Sequence, residues 1–351
     1  MVMDEAKDVR KGEELDQQKL QQFLREQIPG LEGELEILQF PSGHSNLTYL
    51  IRVGEREMVL RRPPKGTKAQ SAHDMSREYK MLNALYPVYP YVPKPLVYTE
   101  DEDILGSSFY VMERLQGIIL RKEPPEGMEI DYQTGRELCK RLVESLVELH
   151  SIDYKSIGLE DFGKPAGYVE RQVKGWNKRY RNAKTPDVPD FEETMNWLEK
   201  NMPPESDKVG IIHNDFKFDN LVLDPQDPLK IVGILDWEMA TIGDPLMDLA
   251  GTLGYWVQAD DPEDMQMIRS LPTNYPGMFS RQEFVDYYAH LTGQRIDNFD
   301  FYLCFGYFRL AVIAQQIYYR FYHGQTQDER FKQFSFVVAC LEKACSRIVQ
   351  N

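Results

Sequence analysis

Helical and strand-like periodicities alternate along the first third of the chain. Apolar residues at helical spacing (Leu20, Phe23, Leu24, Ile28) predict a helix over residues 15–28, stopped by Pro29-Gly30. The period then shortens, and residues 35–40, 48–53 and 57–60 read as three short strands joined by PSGHSN and by Gly54-Glu55. Residues 73–85 return to helical spacing, and 107–112 are again strand-like after the acidic turn EDED. These segments predict a small antiparallel sheet carrying one packed helix, over residues 1–114. From 115 to 351 the pattern is mostly helical, with amphipathic segments over 132–150, 281–291, 301–322 and 331–349. Three β-like runs interrupt it, at 209–212, 221–223 and 231–235. The expected architecture is α+β and two-lobed, with a small sheet lobe, a linker near 112–117, and a larger helical lobe bearing an insertion at about 151–208. A cleft between unlike lobes is a frequent ligand site.

Composition narrows the partners. A chain of 351 residues with 42% hydrophobic content suits a globular protein with a sizeable core. A net charge of −15 argues against nucleic acid as a partner, because duplex binding needs clustered cations, although it leaves room for a local basic site. No stretch of roughly 18 uncharged apolar residues and no apolar leader is present, so the expectation is a cytoplasmic protein with no membrane partner. Cys139, Cys304, Cys340 and Cys345 lack CxxC spacing and histidine partners, and read as buried free thiols.

Polar chemistry concentrates in one place, IIHNDFKFDN at 211–220. Asp215, Asn220 and Asp236 stand at the ends of short predicted strands, where their side chains can converge. Oxygen ligands of this type suit Mg²⁺, which takes one or two carboxylates and completes its octahedron with phosphates and water. A further carboxylate, Asp215, held near a hydroxyl can accept its proton as the oxygen attacks phosphorus. Glu78 shares a helical stripe with Met75, Tyr79, Leu82 and Leu85. A carboxylate on a sheet-facing stripe needs a cation, and Arg61 at the end of MVLR is the natural candidate.

The order of these residues carries a resemblance. HxDxxxxN (His213, Asp215, Asn220) followed by LDWE at 235–238 resembles the catalytic loop and metal-binding Asp of the protein-kinase-like superfamily. HNDFKFDN and ILDWEMATIGDPLMDLA together resemble the aminoglycoside phosphotransferase family. SGHSNLTYLI, VLRRPP, SAHDMSREYKML, FYVMERLQG and GLEDFGKPAGYVERQVKGWNKRY are similar to the phosphotransferase-like domain of acyl-CoA dehydrogenases of the family 10 and 11 type. The likeness runs over about residues 34–255.

The resemblance implies a protein-kinase-like fold and a set of roles. Arg61, where protein kinases have Lys, would orient nucleotide phosphates and pair with Glu78. The turn 41–46 would cover those phosphates through Ser45, Asn46 and backbone amides. Residues 112–114, with Glu113 at the centre, would form a hinge whose backbone pairs with adenine. Asn220 and Asp236 would hold Mg²⁺, and Asp215 would be the base. Lys217 would stabilise the transferred phosphoryl group or else be a solvated loop lysine. His213 and Asp248 would brace the loop, and Glu238 would lie near a second metal or face solvent.

The implied activity is an ATP-dependent phosphotransferase, or one using GTP in its place, that requires Mg²⁺ and acts on a small-molecule hydroxyl. The expected acceptor is a hydroxyacyl-CoA or hydroxy acid, otherwise an aminoglycoside- or choline-like alcohol, with a functional link to an acyl-CoA dehydrogenase. Arg171, Lys174, Lys178 and Arg181 share one helical face in the insertion, which suits an anionic ligand such as the phosphates of coenzyme A or else a solvated basic face. A second class is a non-catalytic nucleotide-binding module of kinase-like fold. A protein kinase is disfavoured, because no activation segment ending in APE follows Asp236.

Overall fold

The apolar alternation of residues 35–62 folds into a meander that a later segment extends. The computed structural model describes residues 6–40, 46–64 and 74–350. Strands β1 (Leu35–Gln39), β2 (Leu47–Val53), β3 (Arg56–Arg62), β4 (Pro95–Thr99) and β5 (Phe109–Glu113) form one sheet in the order β1-β2-β3-β5-β4. All its pairings are antiparallel. Strand β4 escapes the periodicity analysis for a physical reason. It opens on proline, lies at the sheet edge and shifts register between Pro95 and Val97, features that weaken the strand signal.

Both faces of the sheet are covered, so two helices pack on it rather than the one expected. Leu47, Tyr49, Ile51, Met58 and Leu60 share a buried cluster with Leu20 and Leu24 of α1 (Gln17–Gln27). Val59, Tyr110 and Met112 point the other way, toward Met75, Leu82 and Leu85 of α2 (Met75–Leu85). Helix α2 starts where Asp74 accepts hydrogen bonds from the Ser76 and Arg77 amides. The short α3 (Glu102–Leu105) precedes β5.

The second lobe holds α4 (Tyr132–His150), α5 (Tyr168–Ala183), α6 (Glu192–Lys200), α7 (Pro245–Gly254), α8 (Glu263–Ile268), α9 (Arg281–Thr292), α10 (Asp300–Tyr322) and α11 (Phe334–Val349). Helix α10 is buried on most sides, with Phe305, Phe308, Ala311 and Val312 in one cluster with residues of α5, α7 and α11. Four short strands sit among these helices. Strand β6 (Gly210–Ile212) pairs with β9 (Thr241–Gly243), which is too short to register as a period, and β7 (Leu221–Leu223) pairs with β8 (Ile231–Ile234). All four cysteines are buried and free. Among the described residues no helix is long and apolar enough to cross a membrane.

The chain leaving β5 is clamped to the β7–β8 hairpin. Ile118 and Leu223 exchange backbone hydrogen bonds of 2.8 Å in both directions. The approach requires glycine at 117, since a Cβ there would lie 2.3 Å from the Leu223 carbonyl oxygen. The hairpin whose two ends carry Asn220 and Asp236 is thereby tied to the segment that joins the lobes.

Candidate active site

A cavity of about 510 Å³ opens between the sheet and the helical lobe, and Arg61, Glu78, Glu113, Asp215, Asn220 and Asp236 all line it. The loop carrying Asp215 is built around a buried carboxylate. Asp248, on the first turn of α7, accepts hydrogen bonds from the amides of His213 and Asn214, both at 2.7 Å. His150, at the end of α4, lies 3.1 Å from the same carboxylate through Nε2, and its Nδ1 lies 2.8 Å from the Tyr288 hydroxyl. Burial alone would raise the Asp248 carboxyl, but the His150 contact and the His213 amide hold it below the ordinary range.

His213 braces the next turn. Its Nδ1 accepts from the Asp215 amide at 3.2 Å and its Nε2 lies 3.0 Å from the Leu235 carbonyl, so the ring is neutral with the proton on Nε2. Its edge meets Trp237, 4.7 Å between ring centroids. Burial pushes its pKa below the ordinary 6.5. Below that pH the unfolded chain takes up a proton that the folded ring refuses, so stability is full above about pH 6.5 and falls as pH drops toward the folded value. The contribution is at most about 1.4 kcal/mol per pH unit. Urea titrations between pH 7.5 and 5 are expected to show this slope, and His213→Gln to flatten it; equal slopes would remove His213 as its source.

Asp215, Lys217, Asp219 and Asn220 form one cluster. Asn220 Nδ2 donates to Asp215 Oδ2 at 2.9 Å and to the Asp215 carbonyl at 2.8 Å. Lys217 Nζ lies 3.1 Å from Asp215 Oδ2, 3.6 Å from Asp219 Oδ1 and 4.5 Å from the centre of the Tyr255 ring. Lys217 is therefore no solvated loop lysine. Burial alone would lower its pKa, but Tyr255, Asp215 and Asp219 raise it, and the ammonium stays charged. Burial raises the Asp219 carboxyl. Both oxygen donors assigned to a metal flank the hairpin base, where the Leu235 amide donates to the Asn220 carbonyl at 2.8 Å. Asp236 follows with φ of 67°, and Asn214 has φ of 66°. Asn and Asp tolerate this left-handed conformation better than other side chains, and such strain concentrates at functional sites. Among the described residues no three His, Cys, Asp or Glu side chains gather as a metal cage. The Asp236 carboxylate and Asn220 amide fit an ion that completes its shell with phosphate oxygens and water.

Arg61 crosses from the sheet lobe to this loop. Its Nη1 donates to Glu78 Oε1 at 2.6 Å, and its Nη2 lies 3.2 Å from both Asp236 Oδ1 and Glu238 Oε2. Burial pushes the Glu78 carboxyl up and the guanidinium opposes it, while arginine keeps its own proton. Glu238 neither faces solvent nor stands alone, since Asn46 Nδ2 also donates to its Oε2 at 2.9 Å. Ser45 and the rest of the 41–45 turn lie outside the described residues. At the hinge, the Glu113 amide donates to the Lys94 carbonyl at 2.9 Å and is already committed.

The basic face of the insertion matches the solvated alternative. Arg171, Lys174, Lys178 and Arg181 lie exposed along α5 and do not line the cleft. Arg171 donates to the Ala166 and Lys164 carbonyls, Lys174 pairs with Glu170, and Arg181 holds Glu192 through two hydrogen bonds of 2.9 and 2.7 Å. Three of the four cations of this face thus have local partners. Sequence reasoning missed Arg309 of α10, which is buried, lines the cleft and donates from Nη2 to the Asn214 carbonyl at 2.6 Å. A charged residue in the middle of an apolar helix, YFRLAVIA, was the available signal.

Comparisons with known proteins place this geometry in a family. Residues 36–283 match the family model described as the phosphotransferase enzyme family. The human acyl-CoA dehydrogenase family member 11 is 34% identical over 332 residues, covering 92% of this chain and 42% of that protein. The chain thus spans less than half the length of that relative. A Ralstonia eutropha protein solved as a candidate aminoglycoside phosphotransferase superposes with a TM-score of 0.81 at 28% identity, covering 96% of this chain and 99% of that one. An aminoglycoside phosphotransferase in ternary complex with ADP and hygromycin B shares the fold, with a TM-score of 0.59 at 16% identity over 95% of this chain and 98% of that one. With its two-lobed kinase-like fold and its match over residues 36–283, the chain belongs to the phosphotransferase enzyme family.

Proposed function

We propose that the chain transfers the γ-phosphoryl group of ATP, or of GTP in its place, to the hydroxyl of a small molecule. One observation carries the reading. The Asp215 carboxylate engages Asn220 and Lys217 through Oδ2 alone, and its Oδ1 has no hydrogen bond among the described residues. That oxygen is available to take the acceptor's proton. As the acceptor oxygen bonds to phosphorus and the bond to the β-phosphate oxygen breaks, the hydroxyl proton passes to Asp215 Oδ1 and the nucleoside diphosphate leaves. Lys217, a half-buried cation beside this carboxylate, stabilises charge developing on the transferred group. Arg61, positioned by Glu78, turns from Asp236 and Glu238 to the phosphates when nucleotide enters. Asn220 and Asp236 would hold Mg²⁺, which supplies charge neutralisation at the phosphates when bound.

The hinge at 112–114 would receive the base. With the Glu113 amide committed to Lys94, Glu113 contributes its carbonyl rather than its N–H. For the acceptor we favour a hydroxyacyl-CoA or hydroxy acid over an aminoglycoside- or choline-like alcohol. The similarity to a protein named as an acyl-CoA dehydrogenase supports this choice and a functional link to such an enzyme. The test is transfer from Mg·ATP, read by mass spectrometry, to a panel of hydroxyacyl-CoAs, hydroxy acids, choline-like alcohols and aminoglycosides. A phosphorylated product names the acceptor class. Nucleotide binding with no product from any class would move the non-catalytic module ahead.

A further inference from the structure

Among the described residues, neither Arg309, which is tied to the catalytic loop, nor Arg179 of α5 has a carboxylate partner of the kind this acidic chain supplies elsewhere. Arg309 and Arg179 both stand against the Trp176 indole, 5.3 and 4.5 Å from its ring centre. Arg309 is 5% exposed, yet its partners among the described residues are the Asn214 carbonyl, the Met239 sulfur at 3.7 Å and this ring. Among the described residues Arg179 has the ring alone. Comparable side chains are paired, Arg61 with Glu78, Arg269 with Glu123 and Arg281 with Asp261. A buried charge without a counter-ion is costly, which bears on Arg309, while Arg179 stands exposed on the same ring. Burial lowers the pKa of Arg179, and the charge of Arg309 lowers it further.

The place of Arg309, with Arg179 on the same indole, gives it a role. Arg309 lines the same cleft as Asp215 and is tied to the loop one residue before it. One turn further along α10, Ile313 lines the cleft too, as does Met239. The cleft thus offers a cation, an apolar wall and the carboxylate that faces a hydroxyl. We infer that Arg309 and Arg179 seat an anionic group, carboxylate or phosphate, of an acceptor whose apolar body runs along Ile313 toward Asp215. This rests on the phosphotransferase reading and adds to it the residues that select the acceptor. A polycationic acceptor is repelled at this seat.

The test reads binding separately from turnover. Ligand-observed NMR titrations of the full chain with Mg·ADP would compare 3-hydroxyoctanoate, its neutral methyl ester, the cationic 3-hydroxyoctylamine and coenzyme A. The acid is expected to bind about tenfold or more tighter than the ester, as charge-assisted hydrogen bonds to a guanidinium require, and the amine most weakly. Arg179→Gln, a change at an exposed position, is expected to bring the acid-to-ester ratio near one, and Arg309→Lys to reduce it. Coenzyme A that displaces the acid from the native chain but not from Arg179→Gln assigns the seat to a phosphate; coenzyme A that leaves the acid in place assigns it to a carboxylate. Equal binding of acid and ester, preference for the amine, absence of binding by both anions, or an unchanged ratio in Arg179→Gln overturns the inference. An acid preference lost in Arg179→Gln without phosphorylated product leaves the seat standing and removes the transferase reading. Transfer to ester and amine as readily as to the acid does the reverse.

Discussion

Asp215→Asn is expected to stop phosphoryl transfer while leaving nucleotide binding nearly intact. The substitution is conservative in shape. The new side-chain carbonyl can still accept from Asn220 Nδ2 and from Lys217, the two donors now on Asp215 Oδ2. What disappears is the proton acceptor at Oδ1, replaced by an amide that cannot take a proton. Loss of a positioned general base costs about 10²–10⁴ in rate. Part of the local negative charge goes as well, although Asp219 remains 3.6 Å from Lys217. Nucleotide affinity, measured by titration, should stay within a few-fold, because Arg61, Glu78 and the hinge are untouched. Near-normal turnover in this variant would sink the assignment of Asp215 as base.

The largest effect on stability is expected at Asp248. Its carboxylate accepts the His213 and Asn214 amides and faces His150, so Asp248→Ala orphans several buried polar groups at once. Breaking a buried charged network of this kind costs about 3–5 kcal/mol. Asp248→Asn offers one acceptor oxygen in place of two and turns an N–H toward donors, so it should recover only part of the loss. Urea denaturation of the native chain and both variants would check this. A fall below about 1 kcal/mol in Asp248→Ala would mean that Asp248 does not organise the loop. Because Asn214 is held left-handed by the same contacts and by Arg309, activity should fall along with stability.

Local pattern carried much of this structure. Tyr132–His150 and Leu221–Leu223 follow the periodicity to the residue, and β6, β8, α9 and α10 agree to within one residue at each end. The serial order of His213, Asp215, Asn220 and Asp236 signals the candidate site, because each falls where a short strand begins or ends and such ends can be read from neighbouring residues. Glu78 on an apolar stripe points to a buried cation for the same reason, and the Arg61 contact at 2.6 Å supplies it.

What the sequence by itself determined was therefore the class of the longer periodic elements and the chemistry placed at the ends of the short strands. Only the tertiary structure decided which distant groups meet. The edge strand β4, the second helix against the sheet, the burial of Lys217 and the exposure of the α5 basic face all depend on what packs alongside. Asp248 meets His150 across 98 residues of chain, and Arg309 meets the Asn214 carbonyl across 95. Periodicity reports a residue's neighbours within a few turns or strand residues, whereas charge pairing and burial are set by contacts at these separations.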